Sequence, residues 1–279
     1  MNLKTFKSEV LQIANQEGIT AFVLERIVAI AIVEQLFFQV ASTSGQAAYL
    51  KGGSGMIWRF GYSHSRATRD IDAVVALDRQ EVAELIDGLV GANFSFVSVA
   101  SVKLAKDKTK AKVPAEYRIL TTEVQLKVAD SNWLTVELEI LPRENSVANV
   151  FKQQRAPSEL VGLFERLGLG VLAPLPTITL DLQLAEKLHA LTEPGSDRAS
   201  DLYDISLLVS REAIDYKALA AAVTRVFARR QVHPWNAGVV LSPLIKAGFI
   251  DQWGEVKWER AEAEFYGLID QISAHIVQG

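Results

Sequence analysis

The chain of 279 residues is 49% hydrophobic and 22% charged, with a formal net charge of −4 and no cysteine. That is enough apolar material for a large core and too much for a disordered chain. The missing cysteine excludes a disulfide framework and a thiolate zinc site and is compatible with a reducing cytosol; the acidic balance excludes a global field that would draw the protein to nucleic acid.

Residues up to about Ser42 read as helices. Met1-Asn2-Leu3-Lys4 leads into a polar segment rather than an apolar leader, so a secretory signal is not expected. The most apolar stretch, Ile19 to Val40, is interrupted by Glu25, Arg26, Glu34 and Gln35, which argues against a membrane span. Leu24, Ile27, Val28, Ala31, Ile32 and Leu36 recur there at helical spacing and predict a mostly buried helix. Ala47 to Leu50 is a short strand, and the glycine turn Lys51-Gly52-Gly53-Ser54-Gly55 leads to a helix over Met56 to Phe60. Asp70 to Leu77 is a second strand, and Val82, Leu85, Ile86 and Leu89 predict a helix over Arg79 to Val90. Asn93 to Val102, Tyr117 to Ala129 and Trp133 to Leu141 read as three further strands, the last two joined by the turn composition Ala129-Asp130-Ser131-Asn132. Composition changes after Pro157, and Pro174 and Pro176 mark a boundary. Beyond it the chain reads as helices over Leu180–Thr192, Arg198–Ser210, Tyr216–Arg230 and Trp258–Val277, with a break at His233-Pro234. The expected organisation is an α+β sheet domain with N-terminal helices over 1–174 and a helical C-terminal domain over 175–279. A ligand site would be expected in a cleft between them.

Two elements carry the chemistry. In a strand, residues i and i+2 share a face, so Asp70 and Asp72 project together while Ile71 enters the core. Two carboxylates on one face repel unless a cation joins them, and hard oxygen ligands of this kind suit Mg²⁺, with Mn²⁺ as an alternative. The upstream Gly52-Gly53-Ser54 offers what a phosphate needs, close backbone N–H groups and one hydroxyl. Arg66 and Arg69 flank the carboxylate pair. Arg69 alternates away from Asp70, which leaves Arg66 as the better bidentate phosphate contact. Thr135-Val136-Glu137-Leu138-Glu139-Ile140 offers two more carboxylates opposite an apolar face. Lys103, Lys106, Lys108, Lys110 and Lys112 form one basic stretch, and Arg225, Arg229 and Arg230 another. Either could be a solvated face or a contact to an RNA backbone. The four histidines have no metal-ligand spacing, and no Ser-His-Asp arrangement or Walker loop is present.

The Gly-Ser turn before an Asp-x-Asp strand resembles the nucleotidyltransferase fold of the DNA polymerase β type. More closely, Lys51-Gly52-Gly53-Ser54 with Thr68-Arg69-Asp70-Ile71-Asp72 resembles the AbiEii/AbiGii toxin family of type IV toxin–antitoxin and abortive-infection systems, which includes the MenT toxins. That family usually has threonine where this chain has Ser54, a swap that keeps the hydroxyl. Leu141-Pro142-Arg143-Glu144 resembles the family's strand ending, and the resemblance puts Glu139 at the acidic position, where aspartate is commoner. Ala185-Glu186-Lys187 and Arg198-Ala199-Ser200-Asp201-Leu202-Tyr203-Asp204 resemble a pair of family helices. On that resemblance Lys187 contacts nucleotide phosphate and an aspartate of the next helix completes the site, with Asp204 preferred because Asp201 sits at i+3 from Arg198. The alternative is an Arg–Asp–Lys network that ties two helices together. The resemblance implies an enzyme that moves a nucleotidyl group from an NTP to a tRNA 3′ end with Mg²⁺ held by Asp70, Asp72 and Glu139. It also implies a cognate antitoxin, a cytoplasmic location and no membrane partner. Lys51 joins Gly52, Gly53, Ser54, Arg66 and Lys187 in the implied nucleotide site, and the Lys103–Lys112 stretch is the candidate tRNA contact. The competing readings are a small-molecule or protein acceptor, or an NTP-binding regulator without catalysis.

Overall fold

The computed structural model describes residues 1–104, 118–142 and 150–277. Lys106, Lys108, Lys110, Lys112, Arg143 and Glu144 therefore lie outside the described residues. The chain divides into two compact units, Met1–Ile178 and Thr179–Gly279. Among the described residues they hold one large sheet and ten helices.

The first unit opens with α1 (Leu3–Glu17), which Asn2 caps by accepting from the Thr5 amide, and α2 (Ala21–Thr43), which Thr20 caps in the same way. From Ile27 to Phe38 every residue of α2 is buried, so this helix is covered all round by the unit's core. The sheet collects β1 (Ala48–Lys51), β2 (Asp70–Val75), β3 (Asn93–Phe94), β4 (Val97–Leu104), β5 (Leu120–Val128), β6 (Ser131–Pro142), β7 (Phe151–Gln154) and β8 (Leu175–Ile178). Its order is β3-β4-β5-β6-β2-β1-β8-β7. Pairing is antiparallel except for the two parallel pairs β2/β6 and β1/β8. The helices α3 (Gly52–Phe60), α4 (Arg79–Asp87) and α5 (Ser158–Arg166) complete the unit. Asp78 and Glu81 form a capping box that starts α4.

The second unit is helical: α6 (Leu180–Leu191), α7 (Ala199–Arg211), α8 (Tyr216–Arg230), α9 (Pro243–Trp253) and α10 (Glu255–Val277). Its core is built by Leu184, Leu188, Leu202, Ile205, Leu219, Val223, Phe265 and Ile272, all buried. Among the described residues no helix is long and apolar enough to cross a membrane.

Several elements differ from the sequence expectation. The stretch Asn93 to Val102 is a hairpin rather than one strand, because Ser95 adopts φ +55 and reverses the chain. The helix expected from Met56 begins at Gly52, so the Gly-Gly-Ser is its first turn and not a turn ahead of it. The chain yields β7, α5, β8 and α9 where none was expected. The division into compact units falls after Ile178, at the end of β8, which pairs with both β1 and β7.

Candidate active site

The carboxylates gather where β1, β2 and β6 run side by side. In β2, Ile71 is fully buried and Asp70 and Asp72 are half-buried on the other face. The parallel register sets Asp70 opposite Glu137 and Asp72 opposite Glu139. Leu138 takes the core side between the two glutamates. Four acidic side chains thus share one face of two neighbouring strands. On the other flank Lys51 stands opposite Asp72. The row Asp70, Glu137 continues through Glu123 to Lys103, which places that lysine on the same face. Among the described residues no three carboxylate or imidazole side chains converge into a metal-holding group.

The glycines are required by close approach. Gly52 has φ +61, and a Cβ built there would lie 1.8 Å from Asp72 Oδ2. A Cβ on Gly53 would lie 2.8 Å from Thr68 Oγ1 and 3.3 Å from an Arg66 guanidinium nitrogen. The loop before β2 therefore folds its arginine against the start of α3, the condition under which Arg66 can reach a phosphate held there. Thr68, which the sequence reading quoted without a role, is buried and donates its hydroxyl to Asp70 Oδ1 at 3.1 Å. That bond aims one carboxylate. Arg69 is exposed, and its carbonyl accepts from Arg26 at 2.8 Å.

Lys51 is the N-cap of α3 and makes no side-chain cap hydrogen bond. Ser54 is wholly buried, with its hydroxyl 3.5 Å from the Lys51 carbonyl. It faces inward, toward Glu34 of α2. Glu34 accepts from Trp58 Nε1 at 2.6 Å. In the sequence Glu34 figures only as an argument against a membrane span. The missed signal was a carboxylate in the middle of a run of buried positions.

In the second unit Lys187 of α6 is buried, and its Nζ lies 3.0 Å from Asp201 Oδ1 and 2.6 Å from Asp204 Oδ2 on α7. Asp204 is fully buried, whereas Asp201 also meets Arg198 at 3.6 Å. Both aspartates hold the lysine, and the four residues form the Arg–Asp–Lys network that joins the two helices. The arginines of α8 are also paired. Arg229 and Arg230 reach Glu186 at 3.2 and 3.6 Å, and Arg225 reaches Asp181 at 3.9 Å. His189 is buried against Phe227 and His233, with ring centroids 4.8 and 4.5 Å apart, and burial pushes it down to about 4.

This is the chain of a nucleotidyltransferase. The family model described as "Nucleotidyl transferase AbiEii toxin, Type IV TA system" matches residues 35–273, and the chain belongs to that family. MenT4, a nucleotidyltransferase toxin from Mycobacterium tuberculosis H37Rv, has a similar fold, with TM-score 0.56 and 14% identity over 96% of this chain and 98% of that one. The solution structure of the antibiotic-resistance factor ANT(2″)-Ia aligns with TM-score 0.38 and 11% identity over 70% of this chain and 90% of that one. No curated protein matches in sequence.

Proposed function

We propose that this toxin transfers a nucleotidyl group from an NTP to the 3′ end of tRNA in an Mg²⁺-dependent reaction, and that a cognate antitoxin restrains it. The observation that carries the reading is the register of β2 and β6, which sets Asp70 and Asp72 abreast of Glu137 and Glu139 with Gly52 closed against Asp72. Asp70, Asp72 and Glu139 fit a hard divalent cation by their chemistry, since Mg²⁺ needs only one or two protein carboxylates and completes its shell with water and phosphate oxygens. The absence of side chains at Gly52 and Gly53 lets Asp72, Thr68 and Arg66 close in on the start of α3. When bound, Mg²⁺ would neutralise the charge that develops on the transferred phosphoryl group.

The rest is work for the chain's own residues. The N-terminus of α3 is the end of the helix whose dipole favours an anion. Arg66 supplies a planar cation beside it. Thr68 holds the Asp70 carboxylate in one orientation. In the reaction the acceptor hydroxyl oxygen bonds the α-phosphorus and gives up its proton to solvent, the bond to the bridging oxygen breaks, and pyrophosphate leaves. Such catalysis rests on positioning and electrostatics. Lys103, on the same sheet face, is the described member of the candidate RNA contact.

The test is incubation of the purified protein with Mg²⁺, each α-³²P-labelled NTP in turn and total tRNA, beside Asp70→Ala. Label on tRNA that depends on Asp70 supports the reading and identifies the nucleotide. Label on the protein or on a small acceptor keeps the chemistry and discards tRNA. NTP binding without transfer would make the protein a regulator.

A further inference from the structure

The loop that carries Arg66 is tied down before it reaches the carboxylates. It leaves α3 at Gly61, and each of the next two residues is held by an acid. The Tyr62 hydroxyl donates to Glu17 of α1 at 2.6 Å. Ser63 is held twice by Glu159, which lies in the first turn of α5. The Ser63 amide donates to Oε1 at 2.8 Å and its hydroxyl to Oε2 at 3.1 Å. Gly61 makes room for that carboxylate: it has φ +84, and a Cβ built there would lie 2.1 Å from Glu159 Oε2. The Ser65 hydroxyl then donates to the Met56 carbonyl at 3.1 Å, which lays the run back against α3. At the far end Thr68 is held to Asp70, and the Arg69 carbonyl accepts from Arg26. Arg66 stands between these anchors, against Gly53, so a glycine fits the loop at each end.

A guanidinium recognises phosphate through a fixed fork of donors, so its value to a site depends on where its backbone stands. Ser63 lies three residues upstream of Arg66. Two bonds from one carboxylate to one residue fix both the place and the direction of that backbone, and bonds to a charged acceptor are the stronger kind. We propose that Glu159 is a positioning residue for the nucleotide's phosphates: it clamps the entrance of the 61–69 loop and so holds the Arg66 guanidinium at the start of α3. This rests on the reading above that Arg66 contacts the triphosphate. Glu159 acts through the loop and touches no reacting atom.

The experiment is a double-mutant cycle read by calorimetric titration of the full chain with each NTP and Mg²⁺. Glu159→Ala should weaken NTP binding by about tenfold when Arg66 is present and by less than about twofold in an Arg66→Ala background. Glu159→Gln keeps an acceptor for the Ser63 amide, and its own amide can donate to the Ser63 hydroxyl, so it should bind within about threefold of wild type. Ser63→Ala removes one of the two bonds at an exposed position, where the fold is not at risk. It should show a smaller loss that also vanishes without Arg66. Circular dichroism reports whether each variant keeps the fold. A folded Glu159→Ala protein that binds as wild type does, or that loses as much affinity without Arg66 as with it, would overturn the role of Glu159 and leave the nucleotide site standing. So would a folded Glu159→Gln that binds as weakly as Glu159→Ala. An Arg66→Ala protein that binds as tightly as wild type would also overturn it, by removing Arg66 from the phosphates. A wild type that binds no NTP would sink both this role and the reading it rests on.

Discussion

Gly52→Ala is the most local perturbation of the carboxylate pair. The backbone there has φ +61, and an L side chain in that region costs roughly 1–2 kcal/mol. The new Cβ would stand 1.8 Å from Asp72 Oδ2 and 2.7 Å from its Cγ. Those distances lie far inside van der Waals contact, so the carboxylate must retreat by roughly 1 Å or more. A displacement of that size at a positioned catalytic group costs about 100-fold in rate, or about 3 kcal/mol of barrier. Label transfer from NTP should therefore drop by about two orders of magnitude while urea unfolding registers only the smaller backbone cost and the local clash. The same substitution made in an Asp72→Ala background separates the terms. There Oδ2 and Cγ are gone, and the stability cost of the glycine change should shrink, with a coupling of about 0.5–3 kcal/mol between the two sites. A Gly52→Ala protein that transfers label within a few-fold of wild type, with the same stability cost in both backgrounds, would refute the claim that this glycine exists to let Asp72 close in.

Asp72→Ala should abolish transfer and leave the protein folded, and added Mg²⁺ should raise the melting temperature of wild type but not of the Asp70→Ala, Asp72→Ala double variant; equal shifts in calorimetry would remove the cation from these strands. Lys187→Met takes the lysine cation from buried Asp204 and from Asp201, which keeps Arg198, and should cost about 3–5 kcal/mol of stability by chemical denaturation, with recovery when Asp201 and Asp204 are changed to asparagine. A stability loss below about 1 kcal/mol would show that the network holds little. His189 is held below its ordinary value by burial, to about 4, so its neutral form contributes stability above the unfolded pKa near 6.5 that is lost as pH falls toward 4, where the unfolded chain gains the proton first. His189→Gln should flatten that part of the stability profile, and an unchanged acid limb would exclude this histidine as its cause.

The strand chemistry was legible because it depends on a period of two. Asp70, Ile71 and Asp72 could be assigned to faces from their order alone, and the structure keeps that assignment. The partner of that pair was legible only as a segment. Nothing in the alternation of Glu137 and Glu139 says which strand they lie beside, and the parallel register that sets them against Asp70 and Asp72 is a long-range fact. The missing elements share a cause. Leu175-Pro176-Thr177-Ile178 contains a proline, which argues against an interior strand, yet it pairs on both sides as β8. The helix α9 buries only Ile245 and Phe249, too sparse a stripe to show as periodicity, and its start rests on Ser242 accepting from the Ile245 amide. Glycines pointed the wrong way at α3, where low helix propensity suggested a turn. There the need for Gly52 and Gly53 to pass close to Asp72, Thr68 and Arg66 outweighs the propensity cost.

The same register makes a point about energetics that a list of residues would miss. Like charges directly opposite on neighbouring strands destabilise a sheet, and this sheet sets acid against acid three times, at Asp70 with Glu137, at Glu137 with Glu123 and at Asp72 with Glu139. Lys51, opposite Asp72, sets a cation beside that row on the β1 side. An arrangement chosen for stability would place apolar or oppositely charged residues at these positions, as the buried face of the same strands does with Ile71 and Leu138. The cost is tolerated on the face where a cation and a triphosphate would remove it. On the proposed reading, sheet stability and catalytic competence pull in opposite directions at these positions, and the residues present favour the second.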